Sequence, residues 1–392
     1  MAEAYIVGAL RTATGKNRGR LSQTHPVDLG GMLVDGLLDQ VGIDPEKVDD
    51  LIFGCVSQNS EQAGNVARNV ALASKLGESV PGVSVDRQCG SAQQAIHFAA
   101  QAVMSGTQDV VIAGGVESMS RVPMFSNIAD SAKQGRGMPK SERLEERYPG
   151  IEFSQFMGAE LLAKKYELTR EELDNFGYQS HMKALDATEA GRFREEIMPI
   201  EVTLEGGISF THDADEGIRA NANLEALAGL EPLAEGGIIT AGSASQISDG
   251  SAAVMMANAD AVKQYGLKPR ARIHTLSVVG SDPVIMLEGP IPATKKALEK
   301  VGLTIDDIDL YEVNEAFGSV PLAWAKAVGA DLNKLNVNGG AQANGHPLGC
   351  TGAKLMTTLL NELERRKGRY GLLAICEGGG TANCTIIERL DS

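Results

Sequence analysis

The chain has 392 residues, 43% of them hydrophobic and 22% charged, a composition typical of a globular protein with two or three packed units. Its formal net charge of −15 lacks the excess of Lys and Arg that binds a phosphate backbone, which excludes a general nucleic-acid surface. The five scattered cysteines contain no CxxC pair and match neither a disulfide framework nor a zinc site. We therefore expect free thiols, no bound metal and a cytoplasmic location.

Short apolar, β-branched segments alternate with longer helical patterns along the chain. The first segment, YIVGA, is too short for a membrane span or a signal segment and predicts a strand. LIFGCV, GVSVD and VVIAGG follow it, and the second half continues with RIHTLSVVG, LYEV, LNVNGG and LLAICEGG. This alternation predicts an α/β fold with mostly parallel sheets covered by helices, and no membrane partner.

The two halves of the chain share a repeated pattern. LDQVGIDPEKVDDLIFG (residues 38–54) aligns with LEKVGLTIDDIDLYEVN (residues 298–314) at one constant offset, and DVVIAGG (109–115) resembles GLLAICE (371–377). Such internal similarity predicts two related α/β units. We assign residues 1–120, completed by about 241–268, to an N-terminal half and residues 269–392 to a C-terminal half.

The stretch between the halves, residues 121–240, has a different character and is rich in Met and charged residues. The sequence TREE predicts that a helix begins here with a capping box, with Thr169 as N-cap and Glu172 three residues later. An insertion of this length within a compact α/β protein favours a functional role over a passive connection.

A candidate nucleophile follows the third predicted strand, in VSVDRQCGSAQQA. The strand ends at Asp86 and a helix begins near Cys89, so the helix N-terminus should favour the thiolate and lower the pKa of the thiol. Gly90 and Ser91 leave room for a ligand beside the sulfur. The alternative is a small buried cysteine that packs as an apolar residue.

Three motifs of the second half carry further candidate groups. His346 lies in the glycine-rich NVNGGAQANGHPLGCTGAK, which favours a general base or an oxyanion donor over simple packing. Cys376 precedes three glycines that begin at Gly378 and whose N–H groups could hold an anionic oxygen. Asn314 follows the strand LYEV and could orient a water or polarise a carbonyl.

Together these motifs resemble the thiolase family in order and spacing over the whole chain: CGS at Cys89, NEAF at Asn314, GGAxAxGHPLGxxGA at His346 and CxGGG at Cys376. The resemblance implies a duplicated five-layer α-β-α-β-α architecture of mostly parallel mixed sheets, with residues 121–240 as an inserted CoA-binding loop domain. It also implies an acyl-CoA:acetyl-CoA C-acyltransferase that has no permanently bound cofactor, uses coenzyme A as co-substrate and assembles as a homodimer or homotetramer.

The resemblance further implies a role for each motif. Cys89 attacks the carbonyl and carries the acyl group, His346 accepts its proton, and Cys376 serves as acid and base at the carbon beside the thioester. Asn314, through a water, forms one oxyanion hole with His346, and the N–H groups of Cys89 and Gly378 form the other. The contacts implied for CoA and the acyl chain are Arg219, Ser245, Met157 and Phe317.

Departures from the short-chain pattern bear on the substrate. GSAQQA after Cys89, Gln342 and Asn344 in the glycine-rich motif, and Ala234 in LEPLAEGG resemble degradative thiolases of longer or bulky, steroid-derived chains. Formation of acetoacetyl-CoA stays open, because Met157 also occurs in the short-chain group.

Other functions are alternatives to this interpretation. Asn314 together with Cys376 argues against a ketosynthase or a hydroxymethylglutaryl-type synthase. A non-catalytic acyl-CoA-binding scaffold is a second alternative, although all four reactive residues are present, and a redox sensor that uses Cys89 and Cys376 is a third. A basic cluster within residues 133–143 is either a further phosphate contact or an ordinary solvated loop.

Overall fold

Residues 3–391, which the computed structural model describes, form thirteen β-strands and thirteen α-helices. The strands are β1 (Tyr5–Thr12), β2 (Gly15–Lys16), β3 (Asp50–Gly54), β4 (Gly82–Val85), β5 (Val110–Ser118), β6 (Ile197–Met198), β7 (Ile200–Thr203), β8 (Ser209–His212), β9 (Ser248–Ala257), β10 (Ala271–Gly280), β11 (Leu310–Val313), β12 (Tyr370–Glu377) and β13 (Thr381–Arg389). The helices are α1 (Pro26–Val41), α2 (Val66–Leu72), α3 (Ser91–Ser105), α4 (Ser126–Lys133), α5 (Glu142–Arg147), α6 (Gln155–Lys165), α7 (Arg170–Glu189), α8 (Leu224–Ala228), α9 (Ala259–Tyr265), α10 (Pro290–Val301), α11 (Ser319–Val328), α12 (Ala341–Asn344) and α13 (Thr351–Arg366).

Each half of the chain builds a mixed sheet with one reversed strand. The order is β4-β3-β5-β9-β1 in the N-terminal half and β10-β13-β12-β11 in the C-terminal half. Strand β3 is parallel to β4 and β5, and β11 is parallel to β12, whereas β9 and β13 run antiparallel to both of their neighbours. The predicted mixed sheets are confirmed, with three parallel and four antiparallel pairings along these two orders. A short antiparallel contact between β1 and β10 joins the two sheets.

The helices complete five layers. Helices α3 and α13 form the middle layer, and their apolar residues, such as Ile96 and Leu359, share one core with the inner faces of both sheets. Helices α1 and α2 cover the outer face of the first sheet, and α10 and α11 cover that of the second. Both faces of the sheets are therefore buried, which explains the near-continuous apolar strands in the sequence.

The repeat detected in the sequence is confirmed in the backbone. Helix α1 ends at Gly42 with φ 73° and α10 ends at Gly302 with φ 68°, a left-handed conformation that favours glycine. After each glycine, one turn of 3₁₀ helix, Pro45–Lys47 or Ile305–Asp307, leads into β3 or β11. Corresponding residues of the two halves thus occupy corresponding elements.

Helices α4 to α8 and the short strands β6 to β8 lie within residues 121–240. Helix α7 begins with the predicted capping box: Thr169 N–H donates to Glu172 Oε2 at 2.7 Å, and Glu172 N–H donates to Thr169 Oγ1 at 3.2 Å. Buried residues of this stretch, including Leu162 and Leu173, pack in the core of the C-terminal half. Among residues 3–391, no helix is long and apolar enough to cross a membrane.

Candidate active site

Cys89 lies in a tight turn between β4 and α3. The preceding Gln88 has φ 51°, a left-handed conformation unusual for a residue with a side chain. Ser91 fixes the turn, since its hydroxyl donates to Gln88 O at 2.6 Å and accepts from Arg87 N–H at 2.9 Å. The Cys89 side chain is almost fully buried, directly before the first turn of α3.

His346 is held in one tautomer by Thr351. The Thr351 hydroxyl donates its single proton to Pro347 O at 2.9 Å, so it can only accept from His346 Nδ1, which lies 2.6 Å away. The ring proton is therefore on Nδ1, and Nε2 keeps its lone pair. This arrangement presents the Nε2 atom as a proton acceptor.

Asn314 follows β11 and faces the imidazole. Its Nδ2 lies 3.3 Å from His346 Nε2, and its backbone N–H donates to Ala374 O at 3.1 Å on the neighbouring strand. The Asn314 Oδ1 atom is buried and meets no donor among residues 3–391. The structure brings Asn314 and His346 together, the pairing that the family resemblance implied.

Cys376 lies near the end of β12, where the chain enters a glycine turn that packs on the turn of Cys89. A side chain on Gly378 would meet the carboxamide of Gln88 at 2.9 Å. Gly379 and Gly380 have φ 80° and 76°, which only glycine adopts without strain. Cys89 lies close enough to Cys376 that an ionised Cys89 would raise the pKa of Cys376.

The loop of His346 adjoins the turn of Cys89 because the first turns of α3 and α13 touch. A Cβ on Gly352 would collide with the backbone of Gln93, so glycine is required there. Glu117 also fixes the loop, because its buried carboxylate accepts from the N–H groups of Gly349, Val56 and Ser57 at 2.8–3.0 Å. Close helix contact and a buried carboxylate thus position both loops.

Burial keeps the reactive groups neutral. Burial, and after it the nearby Glu377, raise the pKa of Cys89 to about 12. Burial, then Cys89 and Glu377, raise the pKa of Cys376 well above its ordinary value. Burial and Lys354 lower the pKa of His346 to about 3. The expected lowering of the Cys89 pKa at the helix N-terminus is therefore wrong for the resting site, since loss of solvation outweighs the field of α3.

A cavity of about 670 Å³ opens beside His346. Its wall includes three of the four residues expected to contact CoA or the acyl chain, Arg219, Ser245 and Phe317. Met157 is not in the wall and is 50% exposed on α6; the preceding Phe156 lines the cavity and meets Phe317 edge to face, with ring centroids 5.6 Å apart. The structure therefore does not bring Met157 to this cavity.

Neither Cys89 nor Cys376 lies in the cavity wall. Met119 and Leu348 of the wall belong to the same central core as Cys89. The basic cluster, Lys133, Arg136, Lys140 and Arg143, is also outside the wall; Lys140 pairs with Glu145, and Lys133 with Asp130 at 3.4 Å. Within residues 3–391, no group of three or more His, Cys, Asp or Glu side chains is arranged to hold a metal ion.

The sequence analysis missed three residues that shape the site. Thr351 sets the tautomer of His346, Glu117 holds its loop, and Glu377 lies next to both cysteines. Position gave a partial signal for two of them, since Thr351 follows the histidine loop and Glu377 follows Cys376 directly. Glu117 lies in an apolar strand, where a buried acid suggests a hydrogen-bonding role without indicating its partners.

Comparison with known proteins shows the family of the chain. The family models described as "Thiolase, N-terminal domain" and "Thiolase, C-terminal domain" match residues 4–260 and 267–389. A steroid 3-ketoacyl-CoA thiolase of Mycobacterium tuberculosis is 55% identical over 100% of this chain and 95% of its own. A 3-ketoacyl-CoA thiolase of Idiomarina loihiensis is 42% identical over the full length of both chains. The crystal structure of the Bacillus anthracis acetyl-CoA acetyltransferase superposes with a TM-score of 0.91 at 38% identity, covering 100% of this chain and 99% of the other. The chain belongs to the thiolase family and is an acyltransferase that uses coenzyme A as co-substrate.

Proposed function

We propose that this thiolase cleaves 3-ketoacyl-CoA into acetyl-CoA and a shortened acyl-CoA through an acyl-Cys89 intermediate. The observation that carries the proposal is the unprotonated Nε2 atom of His346, on a loop that adjoins the turn of Cys89. Cleavage beside a ketone needs a nucleophile, a base to activate it and an acid for the departing carbon. Cys89, His346 and Cys376 supply these three groups.

In the first half-reaction, the Cys89 thiol gives its proton to His346 Nε2 as its sulfur attacks the ketone carbon. The bond between that carbon and the carbon beside the thioester then breaks, and its electron pair stays on the departing enolate. The Cys376 thiol protonates the enolate to give acetyl-CoA. The raised pKa of Cys89 favours proton transfer that accompanies the attack over attack by a free thiolate.

In the second half-reaction, the thiol of free CoA attacks the acyl group on Cys89. The Cys376 thiolate accepts the CoA proton, the new thioester forms, and the Cys89 sulfur leaves with the proton held by His346. All three groups return to their starting protonation states, so turnover needs no further proton donor.

Each negatively charged oxygen needs preorganised donors. The Nδ2 group of Asn314 beside His346 suits one oxygen through a bound water, and the N–H groups of Cys89 and Gly378 suit the other, since their turns pack together. Removal of one such donor costs about 3–4 kcal/mol of transition-state stabilisation in other enzymes.

Coenzyme A extends along the cavity in this proposal. Arg219 is exposed at the rim and suits the charged end of CoA, whereas Ser245 and Phe317 lie deeper, towards His346. Residues from 121–240, including Phe156 and Leu233, meet residues of the C-terminal half in the wall. This shared wall supports treating 121–240 as an inserted CoA-binding domain between the two halves.

The acyl chain is assigned to the longer or bulky class, with steroid-derived chains favoured. The relative at 55% identity is named a steroid 3-ketoacyl-CoA thiolase. In the stretch expected to close a short-chain pocket, the small residue Ala234 follows Leu233, which lines the cavity. Acetoacetyl-CoA formation is the second candidate, supported by the close match to the Bacillus anthracis acetyltransferase.

Assembly and location extend the proposal. Strand β4 is an edge strand with Val83 44% exposed, and an exposed apolar edge is a ready surface for pairing with a second copy. We assign a homodimer, or a homotetramer of two dimers, and sedimentation of wild type and Val83→Lys tests this. A monomeric wild type contradicts it.

All five cysteines are free thiols, which supports a cytoplasmic location.

The covalent step is tested by incubating the protein, without free CoA, with 3-ketoacyl-CoAs from acetoacetyl to long and steroid-derived chains. We expect an acyl adduct that peptide mapping places on Cys89, and the chain that loads fastest identifies the substrate class. Cys89→Ala should show no adduct. Cys384→Ala, which removes another buried thiol on β13, is the matched control and should load normally.

Absence of an adduct with every chain, from folded protein, would contradict the proposal and favour a non-catalytic acyl-CoA-binding scaffold. Fastest loading with acetoacetyl-CoA would favour the acetyltransferase instead.

A further inference from the structure

Glu377 lies between the two segments that carry the reactive thiols, the turn of Cys89 and the end of β12. It ends β12 directly after Cys376 and pairs with Thr381 across the turn. On its other side, a Cβ on Gly90, the residue after Cys89, would collide with the Glu377 carboxylate. The carboxyl group therefore lies against the first turn of α3 and beside Cys376.

The Glu377 carboxyl group is buried and only partly satisfied. Its Oε2 accepts from the Thr381 hydroxyl at 2.7 Å, whereas Oε1 has no hydrogen-bond partner among residues 3–391. A buried carboxylate with an unpaired oxygen is costly unless it takes up a proton. Burial accordingly raises the pKa of Glu377 to about 8, although Thr381, the cation Arg87 and the N–H of Asn383 oppose this rise.

The charge of Glu377 acts directly on the thiols. When ionised, Glu377 is the largest charge that raises the pKa of Cys89, and its effect on Cys376 is second only to that of an ionised Cys89. Glu117 and Asp86 also face Cys89 with weaker effects in the same direction. A carboxylate at Glu377 opposes formation of a second negative charge on either sulfur, and the neutral acid does not.

We propose that Glu377 is a positioning residue for thiolysis, which acts through Cys89 and Cys376 by switching between a neutral acid that permits thiolate formation and a carboxylate that suppresses it. The inference rests on the proposed role of Cys89 as nucleophile. The reactivity of an isolated cysteine rises steadily with pH until the thiol is fully ionised. In this site, the reactivity of Cys89 should rise less steeply with pH once Glu377 ionises.

The test measures alkylation of Cys89 by iodoacetamide between about pH 6 and pH 10, with peptide mapping and residual activity as readouts. In wild type we expect the rate to rise about tenfold per pH unit below pH 8 and then to flatten, because ionised Glu377 raises the pKa of the thiol. Glu377→Gln should remove the flattening and alkylate about tenfold faster at pH 9.

Thr381→Val supplies a matched variant that keeps the carboxyl group. Loss of the Thr381 hydroxyl removes a hydrogen bond that favours ionised Glu377, so the flattening should move to higher pH. If Glu377 had only a structural role, Thr381→Val would not move the pH at which the alkylation rate flattens. Comparison of wild type with Thr381→Val therefore tests the proposal even where Glu377→Gln does not fold.

Three results would overturn the inference: a wild-type rate that rises without a break to pH 10, a break that Thr381→Val leaves unmoved, or equal rates for wild type and Glu377→Gln at pH 9. These differ from failure of the proposed mechanism, in which alkylation of Cys89 would leave thiolysis activity intact. Loss of activity on Cys89 alkylation without any break in pH dependence refutes the role of Glu377 alone.

Discussion

Replacement of Thr351 by Val tests whether one hydroxyl sets the proton position on His346. The substitution keeps the shape of the side chain but removes the acceptor for Nδ1–H and the donor to Pro347 O. A buried donor without a partner costs about 1–3 kcal/mol. The ring proton can then move from Nδ1 to Nε2, and a protonated Nε2 cannot accept the proton of Cys89. Since about 1.4 kcal/mol corresponds to tenfold in rate, we expect acylation of Cys89 to slow about tenfold to a hundredfold.

The assay is single-turnover acylation of Cys89 by a 3-ketoacyl-CoA in the absence of free CoA. Thr351→Ser restores the hydroxyl and should recover most of the rate. Thr357→Val removes another buried hydroxyl of α13, one that donates to Ala353 O at 2.8 Å, and should acylate at the wild-type rate. NMR of isotope-labelled imidazole nitrogens reports the tautomer directly. The reasoning is refuted if folded Thr351→Val acylates within about twofold of wild type, or if Thr351→Ser is as slow as Thr351→Val.

Three further predictions follow from hydrogen bonding and burial. Asn314→Ala should lower kcat by about a hundredfold to a thousandfold with little change in the KM for CoA, and steady-state kinetics with a kcat near wild type would contradict its role as an oxyanion donor. Burial lowers the pKa of His97 and His346 to about 3, so the stability gained by keeping each ring neutral is present above pH 6.5 and is lost as pH falls towards 3. Urea unfolding should show a loss of about 1.4 kcal/mol per pH unit for each histidine in that window, and a flat profile would show that the rings are not buried as neutral groups. Glu377 has the opposite sign: its pKa is raised from 4.5 to about 8, so stability is present below pH 4.5 and is lost as pH rises to 8. The free energy of unfolding of Glu377→Gln should therefore rise relative to that of wild type by about 1.4 kcal/mol per pH unit across that range. A difference in unfolding free energy that does not depend on pH would contradict this prediction.

Sequence patterns predicted the fold well because local signals and the global architecture agree. The glycine at the end of each repeated helix, Gly42 and Gly302, marks the same turn in both halves of the sequence. The apolar strands showed no polar face, which correctly indicated sheets covered on both sides. The capping box at Thr169 located the start of α7 to the residue. Each of these signals depends on neighbours in the chain, which a sequence displays directly.

The parts of the site that depend on distant neighbours were less predictable. Cys89 was correctly placed at a helix N-terminus, but its pKa is governed by burial and by Glu377, which is far away in sequence. Met157 and Phe156 are adjacent on α6, and only the packing of Phe317 determines which one faces the cavity. A helix turns by about 100° per residue, so an assignment wrong by one position moves a side chain to another face.

Duplication explains how two distant loops come to meet in one site. In each half a central helix begins with a hydroxyl residue that bonds back to the preceding turn: Ser91 to Gln88 O at 2.6 Å, and Thr351 to Pro347 O at 2.9 Å. The same local device thus fixes the turn of Cys89 in one half and the loop of His346 in the other. Because α3 and α13 form one layer and their first turns touch at Gly352, both fixed turns are delivered to the same place. Ser91 and Thr351 differ in one respect, since Thr351 also accepts from the imidazole. The repeated hydroxyl therefore supports the fold in both halves, and it acquired a chemical consequence only where a histidine lies within its reach.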